Sequence, residues 1–266
     1  MTPHIHRRTF GSGPHPILAI HCSLAHSGAW RGLASAMGDQ VTVHAFDLPN
    51  HGKSGDWDGT GDMHDTATSM ARAVMDEIGD APIDVIGHSF GATVALRLAV
   101  EVPARLRRAV LFEPVFFAPA FADDPGFRDD YAAVDDARHD AYVNGRLEDA
   151  ARIFNRHWAG AGTWHTLSER TRADMAGRIG FVHHSAPFLM HDSGGLLAPG
   201  RMDQAQLPIL LMRGALSPWA AKVNGAIARR LPQTQEVCLA NVGHMAPVTD
   251  PVPVAGAIRV YLNLPD

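Results

Sequence analysis

Cysteine is scarce in this chain. Only Cys22 and Cys238 occur among 266 residues. Two cysteines cannot frame a disulfide-dense secreted scaffold, and both read as free thiols of a cytoplasmic protein. Neither sign of charge dominates: 23 basic residues face 28 acidic ones, a formal net charge of −5. That leaves no basic stripe of the kind a nucleic-acid partner requires. No run approaches the ~20 apolar residues of a membrane span. The N-terminal "MTPHIHRRTFGSG" also lacks the apolar core of a signal peptide. No "GxGxxG" phosphate loop occurs. His183, His184 and His191 do not fall at a metal-ligand spacing. The expectation is therefore no cofactor, no metal, no nucleic acid and no membrane, with a small molecule as partner. The oligomeric state is not legible.

What is present suits a globular protein: 46% hydrophobic and 19% charged residues. The length allows one large domain, or one domain carrying an insertion. Short apolar runs at 15–22, 41–49, 83–89, 108–114, 208–214 and 235–242 lack clean alternation, as strands buried on both faces do. Helical patterns lie between them. Residues 62–79 carry Met63, Ala67, Met70, Val74 and Ile78 near one face. Residues 91–103 are small and apolar almost all round. Pro218 and Pro251 open two helices near their first turns. Strand–helix alternation predicts a mostly parallel, doubly wound α/β sheet.

The alternation stops between about 116 and 203. That stretch reads as helices at 124–145, 146–160 and 166–179, followed by a looser segment over 180–200. The predicted organisation is a core over 1–115 and 204–266, with a helical cap inserted at 116–203.

"GHSFG" at 87–91 ends an apolar strand and opens a small-residue helix. The bland reading is a glycine-rich turn. In this context the pattern is a nucleophile elbow. The turn is sharp, Gly87 and Gly91 remove side chains that would collide, and the Ser89 hydroxyl projects above the sheet. Phe90, the next residue, would offer a backbone N–H to an oxyanion. His244 follows the last strand and precedes the last helix, where a loop can lean over the same sheet edge as a base. His88 reads as packing at the elbow.

Three further stretches accompany the elbow in order: "HCSLAHSGAW" (21–30), "FDLPNHGKSG" (46–55) and "NVGHMAPVTDP" (241–251). Together the four resemble the motifs of the α/β-hydrolase superfamily across nearly the whole chain. The resemblance implies that Ser89 is the nucleophile, His244 the base, and Ser23 the second oxyanion donor, with Leu24 the alternative. The sequence departs from the pattern in three places. Cys22 and Asn50 replace glycines, and Ser217 stands where the family usually carries its acid.

A serine cannot orient and stabilise an imidazolium as a carboxylate does. Glu113 ends the strand after the nucleophile's helix, where an acid rarely persists without a partner. Some haloalkane dehalogenases resemble this arrangement. Glu113 is thus the candidate acid; a capping role for it, a Ser–His dyad, or Asp203 are the alternatives. Asp250 reads as the cap of the last helix. Trp158, Trp164, Phe116, Phe117, Phe181, Phe188 and Met190 could wall an apolar pocket, with Leu24 and Met245 beside it. The activity implied is serine hydrolysis of a small to medium, largely apolar ester or lactone through an acyl-enzyme. Cleavage of a C–C bond, an amide or a thioester, or ligand binding with little turnover, remain the alternatives.

Overall fold

A computed structural model describes residues 3–264. Seven strands form one sheet: β1 (Arg7–Phe10), β2 (His15–Ile20), β3 (Val41–Phe46), β4 (Ile83–His88), β5 (Leu106–Phe112), β6 (Ile209–Gly214) and β7 (Thr234–Leu239). Their order is β1-β3-β2-β4-β5-β6-β7, and β1 alone runs antiparallel. The six parallel strands coincide closely with the apolar runs of the sequence. β4 is buried throughout, as a strand with both faces covered must be. β1 escapes sequence reading because it is an edge strand, "RRTF", with only alternate residues half-buried.

The helices are α1 (Arg31–Met37), α2 (Met63–Ile78), α3 (Phe90–Glu101), α4 (Ala118–Asp123), α5 (Pro125–Val143), α6 (Leu147–Ala159), α7 (Thr163–Thr166), α8 (Glu169–Arg178), α9 (Gly180–His191), α10 (Pro218–Ala228), α11 (Ala246–Thr249) and α12 (Pro251–Leu262). α4–α9 fill the chain between β5 and β6 without a strand. The segment expected to be loose at 180–191 is a helix, although Pro187 lies inside it. Phe181, Ser185, Phe188 and Leu189 anchor α9 by burial, which outweighs the lost backbone donor. Asp250 does precede α12, but its side chain makes no capping hydrogen bond. The role expected of it is not filled.

The core has two main parts, one on each face of the sheet. Phe116 and Phe117, just before α4, and Phe127, Phe181 and Phe188 from the inserted helices belong to the first. A smaller cluster around Ala141, Ala150, Ala151, Trp164 and Ile179 holds the insertion together.

The connections place a crevice at one edge. From β2 the chain crosses to β3 on one side, and from β4 it crosses to β5 on the other. The carboxyl ends of β2 and β4 therefore flank a topological switch point, where ligands of such sheets bind. The close approach there demands glycine. A Cβ on Gly91 would lie 2.1 Å from the Ile20 carbonyl oxygen, and one on Gly87 would lie 2.3 Å from that of Gly91. Gly91→Ala is expected to cost about 3 kcal/mol in urea unfolding, since backbone must move. Gly177→Ala, where a Cβ meets nothing within 4 Å inside α8, should be neutral or stabilising.

Candidate active site

Ser89 joins β4 to α3 with φ 56° and ψ −118°, a positive-φ backbone outside the allowed wells that a side-chain-bearing residue adopts only under constraint. Its N–H donates to the Phe112 carbonyl at 2.9 Å, and the residue is 5% exposed. At the first position of α3, the Phe90 N–H points out of the helix without an intrahelical acceptor.

Glu113 directly follows β5, also with positive φ, 47°. Its N–H donates to the Met212 carbonyl at 2.9 Å. One carboxylate oxygen, Oε1, accepts the Gly214 N–H at 2.8 Å; the other, Oε2, contacts His244 Nδ1 at 2.7 Å. Both side chains are almost wholly buried. Gly214 is needed here because a Cβ would lie 2.1 Å from the Val242 oxygen of the histidine loop. Ser217 opens α10 one turn further on and brings no carboxylate. Asp203 is exposed. The acid in contact with His244 is Glu113.

A carboxylate on Nδ1 fixes the imidazole with its proton there, leaving Nε2 as the basic nitrogen. Neither Nε2 nor the Ser89 hydroxyl has a hydrogen-bond partner among the described residues. His88 is buried and donates from Nε2 to the His244 carbonyl at 2.8 Å, tying the elbow to the histidine loop.

The loop after β2 settles which N–H is free. Leu24 N–H donates to His51 Nε2 at 2.9 Å. The alternative donor is thereby occupied, whereas the Ser23 N–H has no partner among the described residues. Cys22 needs no left-handed backbone; that conformation falls on Leu24, at φ 63°. The Cys22 thiol is buried, and burial pushes its pKa up to about 12, so it stays protonated. His51 drew no attention in the sequence because its partner, Leu24, lies on a different loop.

The pocket residues scatter. The Trp158 ring lies on His244, centroids 4.4 Å apart. Phe117 is buried against Tyr131 and Trp158. Phe188 is buried and stacked on His64, and Trp164 belongs to the insertion's own core. Leu24 is half-buried against that small core, and Met245 is half-buried beside His244. A shallow depression, open to solvent and too small to hold a ligand as it stands, has Trp158, Tyr131, Asp135, Arg138, His157 and Trp219 in its wall.

The chain belongs to the alpha/beta hydrolase fold family, whose model matches residues 15–251. It is 25% identical over 257 residues to the pimeloyl-[acyl-carrier protein] methyl ester esterase of Nitrosomonas europaea, covering 90% of this chain and 92% of that protein. Against Lipase LipV of Mycobacterium tuberculosis it is 36% identical over 111 residues, 41% of either chain, so the match spans less than half of the lipase. The enol-lactonase from Burkholderia xenovorans LB400 superposes with a TM-score of 0.70 at 15% identity, over 98% of this chain and 97% of that one, which shows the shared fold. Among the described residues no helix is long and apolar enough to cross a membrane.

Burial holds several imidazoles neutral. His21 is lowered to about 4, and His51, His64 and His88 lie well below the ordinary histidine value, each chiefly through desolvation. A histidine depressed in the folded state binds fewer protons there than in the unfolded chain. Its stabilising effect is complete above the unfolded pKa of about 6.5 and is lost as pH falls, by about 1.4 kcal/mol per pH unit and group. The urea midpoint should therefore drop steeply between pH 7 and pH 5. A flat profile over that range would contradict neutral burial of these rings.

Proposed function

We propose that the protein is a serine hydrolase that cleaves a carboxylic ester or lactone with a largely apolar acyl part. The observation carrying this reading is the buried Glu113–His244 contact at the edge where the strained Ser89 ends β4. The esterase name of the full-length relative from Nitrosomonas europaea supports the same class.

Ser89 Oγ attacks the carbonyl carbon while His244 Nε2 takes its proton, and the carbonyl π pair moves onto oxygen. The pairing of Ser89 with Nε2 tightens when substrate is bound. Glu113 stabilises the imidazolium and holds its tautomer. The oxyanion sits between the N–H groups of Phe90 and Ser23. His244 returns the proton to the leaving alkoxide, the C–O bond breaks, and water repeats the cycle on the acyl-enzyme.

Residues 116–203 serve as a cap over this centre. Trp158, seated on His244, must swing aside to admit substrate, and its ring with those of Phe117 and Tyr131 then offers an apolar wall to the acyl part.

An acyl-chain series of p-nitrophenyl esters, with a serine-directed organophosphonate mapped by mass spectrometry, tests the class. Labelling should fall on Ser89 alone and vanish in Ser89→Ala; labelling that survives the substitution unchanged removes Ser89 from the mechanism.

Glu113→Gln tests the acid. The Gln oxygen can still accept from Gly214, and its amide then donates to Nδ1. That places the His244 proton on Nε2, the nitrogen that must be free to accept the Ser89 proton. Turnover should fall on the order of 10²–10⁴-fold with little change in melting temperature. Near-normal turnover with a stability loss of about 1–3 kcal/mol would instead mark Glu113 as purely structural.

A further inference from the structure

Two imidazoles cross-link the loops that follow β2 and β3. His21, at the end of β2, accepts the Leu48 N–H on Nε2 at 2.9 Å, and its Nδ1 pairs with the Cys22 carbonyl at 2.8 Å. His51, on the loop after β3, does the reverse. Its Nε2 accepts the Leu24 N–H at 2.9 Å, and its Nδ1 pairs with the Pro49 carbonyl at 2.8 Å. A carbonyl only accepts and an amide N–H only donates, so both rings carry their proton on Nδ1 and both are neutral. They meet edge to face, centroids 5.2 Å apart, and the His51 ring also abuts Phe181 at 4.5 Å. Each is 1% exposed.

Resting on the catalytic reading above, we propose that His51 is a positioning residue for the oxyanion site. It acts through the backbone of residues 22–24 and touches no substrate. Leu24 adopts φ 63°, a conformation costing a branched residue about 1–2 kcal/mol, and such strain persists only where the surroundings over-determine it. The surroundings here are His51 and, a turn further on, Asp47, whose Oδ1 accepts the Ser27 N–H at 2.7 Å. Holding the Leu24 N–H on His51 turns that amide away from any ligand. The preceding amide, Ser23, is left as the free donor. Without His51 the Leu24 N–H would be unpaired, its backbone free to relax, and the Ser23 donor displaced from the point where charge develops.

The two hydrogen bonds of His51 can be removed one at a time. In His51→Gln the side-chain oxygen reaches the place of Nε2 and keeps the acceptor for Leu24. In His51→Asn the shorter amide reaches only the place of Nδ1, keeps the Pro49 contact and leaves Leu24 unpaired. Both variants lose one buried hydrogen bond, so a merely structural role lowers their melting temperatures and leaves kcat per active site alike. Phosphonate titration counts active sites, so turnover refers to folded molecules only. For p-nitrophenyl ester hydrolysis, His51→Asn should lose about 10- to 100-fold in kcat with KM nearly unchanged, as expected of a donor serving only the transition state. His51→Gln should stay within about threefold of the parent. Equal kcat in the two variants, or a larger loss in Gln than in Asn, overturns the proposal while the triad stands. A parent protein that neither turns over ester nor takes label overturns the catalytic reading itself.

Discussion

The hydrogen bond between the Glu113 carboxylate and His244 Nδ1 ties the end of β5 to the loop after β7. A carboxylate this deeply buried survives only if its oxygens are satisfied, because an unpaired buried charge costs several kcal/mol. Both oxygens are engaged, one by the Gly214 amide and one by the His244 ring. That requires three chain segments to converge: the end of β5, the end of β6 and the loop after β7. The backbone of Glu113 turns left-handed to aim the side chain, and Gly214 gives up its side chain so that the histidine loop can cross. His88 closes the arrangement by holding the His244 carbonyl from the elbow. Glu113, His244 and the strand that ends at Ser89 are thus one connected network rather than three independent parts.

Strain is concentrated where that network lies. Leu24, Asn50, Ser89, Glu113 and Asn241 all have positive φ without being glycine, and each follows the carboxyl end of a different strand. The rigid, doubly covered sheet bears the cost, and the loops at one edge take up the unusual conformations. The opposite arrangement, a site on mobile loops, would leave these residues free to relax to ordinary backbone. Neutral imidazoles serve as the internal struts of this edge. His21, His51 and His88 each donate from one ring nitrogen to a backbone carbonyl, and His21 and His51 accept an amide with the other. The unusual number of histidines, 16, is in part explained by that use.

The inserted helices pack against the sheet and reach His244. Their phenylalanines join the core on one face of the sheet, and Trp158 rests on the His244 ring. The insertion is therefore anchored to the edge where His244 lies.

The sequence by itself determined the doubly wound α/β fold, the elbow at Ser89 and the histidine loop. Those features rest on local chemistry: buried parallel strands are uninterrupted apolar runs, and a strand-to-helix turn this tight admits only glycine at 87 and 91. It also pointed to Glu113, since an acid at a buried strand end needs a partner, but Asp203 and a dyad stayed open. Only the tertiary structure brings Glu113 against His244, because the two are 131 positions apart and nothing local records their distance. The same holds for the free N–H of Ser23, which depends on a loop 27 positions further on capturing Leu24. The pocket was least legible. Phenylalanines that line a cavity and those that fill a core have the same composition, and only packing sends Phe188 to His64 and Trp158 to His244.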